Sequence, residues 1–287
     1  MSLSLNNLTF IIVTFKSEHI INECINSLPT DSKIIVIENS GNKKLKKDLE
    51  SEYSKVKVVV QQNEGMGAAN NRGIKLCETD YAFIINPDVK FENGAVQKII
   101  DFTRKKKEYS ILAPLSDNIN YPNYTIKNKN LIDNKLDYLD VDSVDGFAML
   151  VNKKKFKDNL YFDENFFLYL ENEDLCLRKK KEKHKIFILK TAKINHLGGK
   201  SPSPLFEKEI EYSRNWHWMW SKFYFNKKHY SYSKAILIGL PTLINSMIKL
   251  FYYFITHNKF KKKIYTMRFL GLINSMFGKK SWYRPQI

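Results

Sequence analysis

The stretch YAFIINPD at residues 81–88 decides the fold of this chain, because it joins an apolar run to a sharp polar turn. Its first five residues are apolar or aromatic and predict one buried strand. Pro87 has no backbone N–H for a sheet ladder, so the strand should end there. Asn86 and Asp88 then lie at the carboxyl end of a buried strand, where open α/β sheets bind ligands. Read alone, the same turn is also typical of ordinary loops.

Strands and helices alternate around this stretch. Strands are predicted at residues 8–15, 33–37, 55–61 and 81–85. Helices are predicted between them, at 17–28 with Ser17 as the N-cap, at 43–53, and after residue 65 to a point near Cys77. This alternation favours parallel pairing with right-handed crossovers. The expected fold class is therefore α/β, with a mostly parallel sheet flanked by helices.

The second half of the chain is less regular. A helix is predicted at residues 92–107, a polar, irregular and mobile loop on the acceptor side at 110–140, and a strand at 144–151 that carries Asp145 and Gly146 near its start. A helix should begin near Glu171, because acidic side chains favour a first turn. Two short strands, at 185–189 and 192–195, lead to His196. We predict one domain over residues 1–204, with halves at about 1–105 and 106–204, and a helical tail over 205–287.

Charge is distributed unevenly along the chain. The 287 residues contain 47 Lys and Arg against 30 Asp and Glu, yet no acidic residue lies between 212 and 287. The tail is therefore the basic part of the protein. The three cysteines are scattered without a CxxC, which argues against a thiolate metal site and favours a reduced compartment. No signal peptide is expected, because the first strand begins by Leu8.

The tail combines aromatic, basic and apolar segments. Residues 205–230 predict a helix, and residues 235–255 form a largely apolar run of sufficient length to span a bilayer. Because Pro241, Asn245 and Lys249 interrupt this run, we favour a helix that lies on an anionic membrane surface, with the lysines of 259–268 on the headgroups. Two alternatives stay open, namely packing on the rest of the chain and a homodimer. Basic residues among aromatics are also compatible with nucleic-acid binding, although the adjacent apolar run argues against nucleic acid as a partner.

The order of the motifs resembles the family-two inverting glycosyltransferases of the GT-A fold, especially the bacterial rhamnosyltransferase-like branch. The resemblance covers residues 8–201. It rests on four features: Val13-Thr14-Phe15 in the first strand; residues 37–40; residues 63–73 followed by 86–88; and residues 167–178 followed by 196–201.

The resemblance implies a role for each of several side chains. Asp88, and His196 from the far end of the domain, would hold a Mg²⁺ or Mn²⁺ ion beside a diphosphate. Asp145 and Gly146 would contact the acceptor. The residues implied in donor binding are Thr14, Phe15, Glu38, Asn39, Asn63, Gly65, Gly67, Asn70 and Asn86. Read singly, most of these residues are also ordinary constituents of turns, helix starts and surfaces.

The chain departs from the family pattern at the expected general base. Many relatives read Glu-Asp-x-Asp, and here the second position is Asn172, which accepts no proton at neutral pH. Glu171 is the favoured base, Asp174 is expected to bond Arg178 and so fix the catalytic helix, and Glu173 is a third candidate.

The resulting prediction is a metal-dependent inverting glycosyltransferase. It would move a sugar, with rhamnose from dTDP-rhamnose as the family-level expectation, to a lipid-linked or cell-surface glycan. Its expected location is cytoplasmic, on the inner face of the cell membrane. A scaffold without activity is the alternative that Asn86 and Asn172 leave open, besides a nucleic-acid-binding protein.

Overall fold

The computed structural model describes residues 3–118, 121–127, 135–198 and 203–287. The chain forms two compact units. The first comprises residues 1–163 and 172–203, and the second comprises 164–171 and 204–287. Each unit is described by itself below.

Four parallel strands form one side of the large sheet in the first unit, in the order β3-β2-β1-β4. They are β1 (Leu8–Thr14), β2 (Lys33–Glu38), β3 (Val56–Val60) and β4 (Tyr81–Ile85). In β1 and β4 every residue is buried, as expected of parallel strands covered on both faces. The four predicted strands and their parallel pairing are confirmed.

The rest of the sheet is mixed. Its strands are β5 (Val89–Phe91), β6 (Ile111–Ser116), β8 (Tyr138–Asp140), β10 (Ala148–Asn152) and β11 (Ile186–His196), while β7 (Tyr124–Thr125) and β9 (Ser143–Val144) form a separate pair. β10 lies antiparallel between β4 and β6.

Three predictions for this half are wrong. The strand predicted at 144–151 is interrupted: β9 ends at Val144 and β10 begins at Ala148, so Asp145 and Gly146 lie in the connection between them. The two short strands at 185–195 are one strand, whose register against β6 shifts between Leu189 and Lys193. The loop at 110–140 contains strands, and β6 is largely buried there.

Five α-helices occur between the strands of this sheet in the described part of the chain. They are α1 (Ile21–Asn26), α2 (Lys43–Glu52), α3 (Met66–Leu76), α4 (Ala95–Lys105) and α5 (Glu171–Lys181). Ser17 does not cap α1 with its side chain. Its hydroxyl bonds the carbonyl of Phe15 instead, and the helix begins four residues later. The predicted start of α5 at Glu171 is confirmed.

Apolar side chains pack on both faces of the sheet. One layer includes the stacked rings of Phe10 and Phe83, whose centroids are 5.4 Å apart. On the other face α3 lies close to β1, because an added Cβ at Gly73 would lie only 2.4 Å from Cγ2 of Ile11. A side chain larger than glycine at position 73 would therefore force α3 away from β1.

The second unit consists mainly of three helices, α6 (Glu207–His229), α7 (Tyr232–Ile255) and α8 (Lys259–Met276). The predicted helices at 205–230 and 235–255 are confirmed, and the basic segment at 259–268 is the first part of α8. Residues 164–171 pack on α6, where Phe167 stacks on His217 and the hydroxyl of Ser221 bonds the carbonyl of Leu168. The tail is therefore a folded unit with its own core.

Candidate functional site

The carboxyl ends of the four parallel strands meet at one edge of the first unit. Thr14 at the end of β1 is level with Glu38 at the end of β2, and Glu38 is level with Val60 of β3. β4 ends next to β1 and is followed by Asn86. The sheet register therefore brings the strand-end residues of the predicted donor site together.

Side-chain amides connect three segments at this edge. Nδ2 of Asn39 donates to Oδ1 of Asn63 at 3.0 Å, and Nε2 of Gln61 donates to Oδ1 of Asn39 at 2.9 Å. Oδ1 of Asn63 also accepts from the backbone N–H of Gly65 at 3.1 Å. This amide bridge holds the segment after β2 against the start of α3. Sequence reasoning missed Gln61, although it is the first residue after β3.

Glu38 has a structural task in the turn after β2. Its buried carboxylate accepts hydrogen bonds from the backbone N–H of Ser40 at 3.0 Å, from the Ser40 hydroxyl at 2.5 Å and from the backbone N–H of Asn42 at 2.6 Å. Asn42 in turn caps α2. The carboxylate thus fixes the turn, and its predicted contact with the donor stays a prediction.

Several buried polar atoms at this edge have no hydrogen-bond partner among the described residues. They are Oγ1 of Thr14, Oε1 of Gln61, Oδ1 of Asn70 and Oδ1 of Asp88. Buried polar groups in proteins are nearly always satisfied, so atoms of this kind indicate a place for a polar ligand. Gly67 is buried in the first turn of α3, whose N-cap is Gly65 with φ of +99°. Phe15 is half-buried beside Thr14.

Asp88 and His196 are brought together by a pair of antiparallel strands. β5 pairs with the end of β11, so that Val89 is level with His196, and the N–H of Leu197 donates to the carbonyl of Asp88 at 3.2 Å. Oδ1 of Asp88 lies 3.4 Å from Nε2 of His196. Asp88 is 2% exposed. The two residues implied as metal ligands are therefore neighbours.

Phe147 contacts His196 and also Asn86, which lies two residues before Asp88. Its ring stacks on the imidazole of His196 with centroids 3.8 Å apart. Its carbonyl accepts the N–H of Asn86 at 2.9 Å. Sequence reasoning missed Phe147, because its position beside Asn86 depends on β10 pairing with β4.

The atoms of Asp88 and His196 suit a divalent cation. A carboxylate oxygen and an imidazole nitrogen are ligands that Mn²⁺ accepts, and 3.4 Å is short enough for both to bind one ion. The oxygen of Asp88 that faces His196 is the one without a hydrogen-bond partner among the described residues. Those residues contain no cluster of three or more His, Cys, Asp or Glu, so an ion here would need oxygen ligands from elsewhere, such as a diphosphate.

The residues predicted to bind the acceptor lie close to this pair. Asp145 lies two residues before Phe147, whose ring stacks on the imidazole of His196. Burial raises the pKa of Asp145, and the charge of His196 acts in the opposite direction. An added Cβ at Gly146 would lie 3.3 Å from Cβ of Asn172. Nδ2 of Asn172 donates to the carbonyl of Val144 at 2.9 Å. The start of α5 is thus attached to the connection between β9 and β10.

The acidic residues of α5 have different surroundings. Asp174 is fully buried and accepts a hydrogen bond from Nε of Arg178 at 3.0 Å, which confirms the predicted pair. Burial raises the pKa of Glu173 to about 7, and the charge of Asp145 adds to this rise. Glu171 is the first residue of α5 and belongs to the second unit. Its role as a base stays a prediction, as does any catalytic role of Asp174.

The motif that begins at His196 continues through Gly199, Lys200 and Ser201, which lie outside the described residues.

Three comparisons with known proteins bear on this site. The family model described as Glycosyl transferase family 2 matches residues 9–160, more than half of the chain. The low-salt glycan biosynthesis hexosyltransferase Agl10 of Haloferax volcanii is 21% identical over 197 residues, which cover 62% of this chain and 63% of Agl10. The match thus spans less than two thirds of that relative's length.

Solved structures share the fold. The crystal structure of S. aureus TarS 1-349 has a TM-score of 0.53 at 15% identity, and covers 96% of this chain and 93% of that one. The structure of GalNAc-T7 with UDP, GalNAc and Mn²⁺ has a TM-score of 0.54 at 14% identity, and covers 66% of this chain and 43% of that one. These likenesses confirm the predicted GT-A fold.

Proposed function

The chain belongs to glycosyl transferase family 2, and from this premise we propose that it is a metal-dependent inverting glycosyltransferase that moves a sugar from a nucleotide-diphosphate donor to a glycan. The observation that carries the proposal is the pair of Asp88 and His196 at the carboxyl edge of the sheet. Buried polar atoms of Thr14, Gln61 and Asn70 have no hydrogen-bond partner among the described residues, which also supports the proposal.

The residues of this edge divide into two groups by their chemistry. Thr14, Gln61 and Asn70 offer hydrogen-bonding atoms to the nucleoside or the sugar, and the amide bridge holds the side chain of Gln61 against Asn39. Asp88 and His196 would hold a Mg²⁺ or Mn²⁺ ion. When bound, such an ion stabilises the negative charge that develops on a leaving diphosphate.

A thermal-shift experiment tests donor binding. The full chain is heated with UDP-N-acetylgalactosamine, UDP-glucose, GDP-mannose or dTDP-rhamnose, each with and without MnCl₂. Rhamnose is included because the resemblance implies it. A donor present at a hundred times its Kd stabilises the fold by about 2.7 kcal/mol, so one donor should raise Tm by several degrees with manganese. If no donor changes Tm under either condition, the proposal is wrong.

A transfer experiment separates an active enzyme from a scaffold without activity. The donor that raises Tm most is incubated with the full chain, MnCl₂ and a panel of octyl glycosides as acceptors. Release of the nucleoside diphosphate together with a glycosylated product supports the proposed activity. Binding of the donor without release or transfer favours the scaffold.

We also propose that the second unit binds an anionic membrane surface, on the cytoplasmic side of the cell membrane, where a lipid-linked acceptor would be found. One face of α7 packs on the other helices through Ala235, Gly239 and Leu243. The other face is exposed and apolar, for example at Leu237, which is 74% exposed, and Phe251, which is 66% exposed. Among the described residues, α7 is the one helix whose length and composition would allow it to cross a membrane.

The distribution of charge also supports membrane binding by the second unit. No acidic residue lies between positions 212 and 287, and Lys259, Lys261, Lys262 and Lys263 form the first turns of α8. Lysines near an anionic bilayer contribute about 1 kcal/mol each. A surface with an exposed apolar face and adjacent lysines fits the boundary between headgroups and acyl chains.

A vesicle flotation experiment tests this proposal. The full chain is mixed with vesicles of phosphatidylcholine and phosphatidylglycerol at low and high salt. We expect flotation that decreases with salt and is lost when the four lysines of α8 are changed to Glu. A matched control changes the four exposed lysines of α2, namely Lys43, Lys44, Lys46 and Lys47. Equal effects of the two changes, or a salt-stable dimer that does not float, would contradict the membrane proposal.

A further inference from the structure

A second pocket lies in the first unit, at the edge of the sheet where the parallel strands begin. β4 begins at Tyr81, and the antiparallel strand β10 ends at Asn152, which is level with Tyr81. Both residues line the pocket, whose volume is about 390 Å³. At about 3.3 Å per residue, the two ends of β4 are about 13 Å apart. The pocket is therefore separate from the site at Asp88, which follows the other end of this strand.

The side chain of Asn152, in the wall of the pocket, has one unused hydrogen-bonding atom. Its Nδ2 donates to the carbonyl of Tyr109 at 3.2 Å, and its backbone N–H donates to the carbonyl of Ser110 at 2.9 Å. These bonds fix the orientation of the amide, so the remaining atom is the acceptor Oδ1. It is buried and has no hydrogen-bond partner among the described residues. Because a carbonyl oxygen only accepts, its missing partner is an O–H or N–H group.

The hydroxyl of Tyr109 is another buried polar atom of this wall. Tyr109 is 2% exposed, and no described residue is a hydrogen-bond partner of its hydroxyl. Burial raises the pKa of Tyr109, so the hydroxyl stays protonated and can both donate and accept. Of the described residues that line the pocket, none is aliphatic, so an apolar ligand would find little to pack on. The wall is therefore suited to a ligand with several hydroxyl groups.

Lysine side chains also line this pocket. They are Lys107, Lys154 and Lys155, and Glu108 is the acidic residue beside them. Lys154 pairs with Asp80 at 2.7 Å, and Lys155 lies 3.6 Å from Glu108. Lys107 is exposed and forms no ion pair with a described residue. The lysines outnumber the carboxylates, and Lys107 is available to bind an anionic group.

We propose that this pocket binds a sugar that carries a phosphate or a carboxylate group. The anionic group would lie beside Lys107, and hydroxyl groups of the sugar would donate to Oδ1 of Asn152 and bond the hydroxyl of Tyr109. The volume of about 390 Å³ falls within the range of about 300–1,000 Å³ that is typical of small-molecule sites. This site is additional to the proposed donor site, and the inference does not depend on the proposed function.

Isothermal titration calorimetry with the full chain tests the proposal. The probes are glucose 6-phosphate and glucuronate, which differ in their anionic group, together with glucose and inorganic phosphate. We expect one or both of the anionic sugars to bind at least about tenfold more tightly than glucose or phosphate, because only they combine a charge with hydroxyl groups. The comparison of the two anionic sugars identifies which anionic group the pocket prefers.

Two variants remove the two kinds of contact separately. Lys107→Glu places a negative charge where the anionic group should lie, and should weaken binding at least about tenfold. Tyr109→Phe removes one hydroxyl and should weaken binding about fivefold. The matched controls are Lys98→Glu, at an exposed position of α4, and Tyr53→Phe, whose hydroxyl donates to Asn26 at 3.1 Å on the surface. Both controls should bind as the wild type, and circular dichroism verifies the fold of every variant.

Crystals of the full chain soaked with the tighter-binding sugar give its location. We expect the sugar in contact with Asn152 and Tyr109, with its anionic group within hydrogen-bond distance of Lys107. The proposal is overturned if neither anionic sugar binds, if inorganic phosphate binds as tightly as they do, or if Lys107→Glu keeps the wild-type affinity. A sugar located beside Asp88 instead would also overturn it. None of these results bears on nucleotide-sugar binding in the thermal-shift experiment, so the two proposals fail independently.

Discussion

Oδ1 of Asp88 lies 3.4 Å from Nε2 of His196, although one residue follows the fourth strand and the other ends the last strand of the sheet. The pairing of β5 with β11 produces this closeness. It gives the edge of the sheet a carboxylate and an imidazole that face each other.

Asp88→Asn should abolish the manganese-dependent part of the rise in Tm caused by the best donor. The amide keeps the shape of the side chain but lacks the negative charge that attracts the ion. Thermal shift with and without MnCl₂ measures the effect. Asp101→Asn, on the exposed face of α4, is the matched control and should behave as the wild type. An Asp88→Asn protein with the wild-type manganese effect would remove this residue from the metal site.

Asn39→Ala should destabilise the first unit and weaken donor binding. The change removes two hydrogen bonds of the amide bridge. It leaves Nε2 of Gln61 without its acceptor, while Oδ1 of Asn63 keeps the N–H of Gly65. Leaving buried polar groups unsatisfied costs about 1–3 kcal/mol. Urea denaturation followed by circular dichroism measures the loss. Asn26→Ala removes an exposed hydrogen bond to Tyr53 and should cost much less. A loss as small as that of the control would show that the bridge contributes little.

His217 should make the stability of the second unit depend on pH. Burial lowers its pKa to about 3, the charge of Arg284 acts in the same direction, and the hydrogen bond to the carbonyl of Tyr283 opposes them. Between pH 3 and the ordinary value near 6.5, the unfolded chain binds a proton that the native protein does not. Stability should therefore fall on acidification, by about 2 kcal/mol between pH 7 and pH 5.

Tryptophan fluorescence during urea denaturation measures this effect, because all four tryptophans lie at positions 216–282 in the second unit. His217→Gln should remove most of the pH dependence. His19→Gln, at an exposed position, should retain it. The same slope in His217→Gln as in the wild type would assign the pH dependence to other groups.

Gly271→Ala should destabilise the second unit more than Gly239→Ala. An added Cβ at Gly271 would lie 2.2 Å from the carbonyl oxygen of Trp216, a backbone atom that moves only if α6 moves. At Gly239 the nearest atom is 3.2 Å away on the ring of Phe223, which can turn. We expect a loss of about 3 kcal/mol for the first change and about 1 kcal/mol for the second. Fluorescence-detected unfolding measures both, and the reverse order would contradict the close packing of α8 on α6.

Much of the sheet could be predicted from the sequence. Buried parallel strands such as residues 8–14 and 81–85 are continuous apolar runs, and Pro87 marks where one of them ends. The bounds of β11 could not be found in this way, because Lys190 and Lys193 interrupt its apolar pattern while long-range pairing with β6 keeps it extended.

The site could be predicted only in part. Asp88 follows a strand, so its place at the carboxyl edge comes from local sequence. His196 came from the resemblance, since nothing local indicates that β5 pairs with β11. The contribution of Phe147 depends on β10 lying antiparallel beside β4, and the raised pKa of Glu173 depends on burial near Asp145. Relations of this kind arise between segments that are distant in sequence.

Anomalous diffraction at the manganese edge tests the central claim most directly. Crystals of the full chain would be grown with MnCl₂ and the nucleotide sugar that raises Tm most. We predict one anomalous peak within about 2.0–2.4 Å of the carboxylate of Asp88 and of Nε2 of His196, in contact with the diphosphate. A donor bound at the carboxyl edge with no manganese beside these two residues would contradict the account.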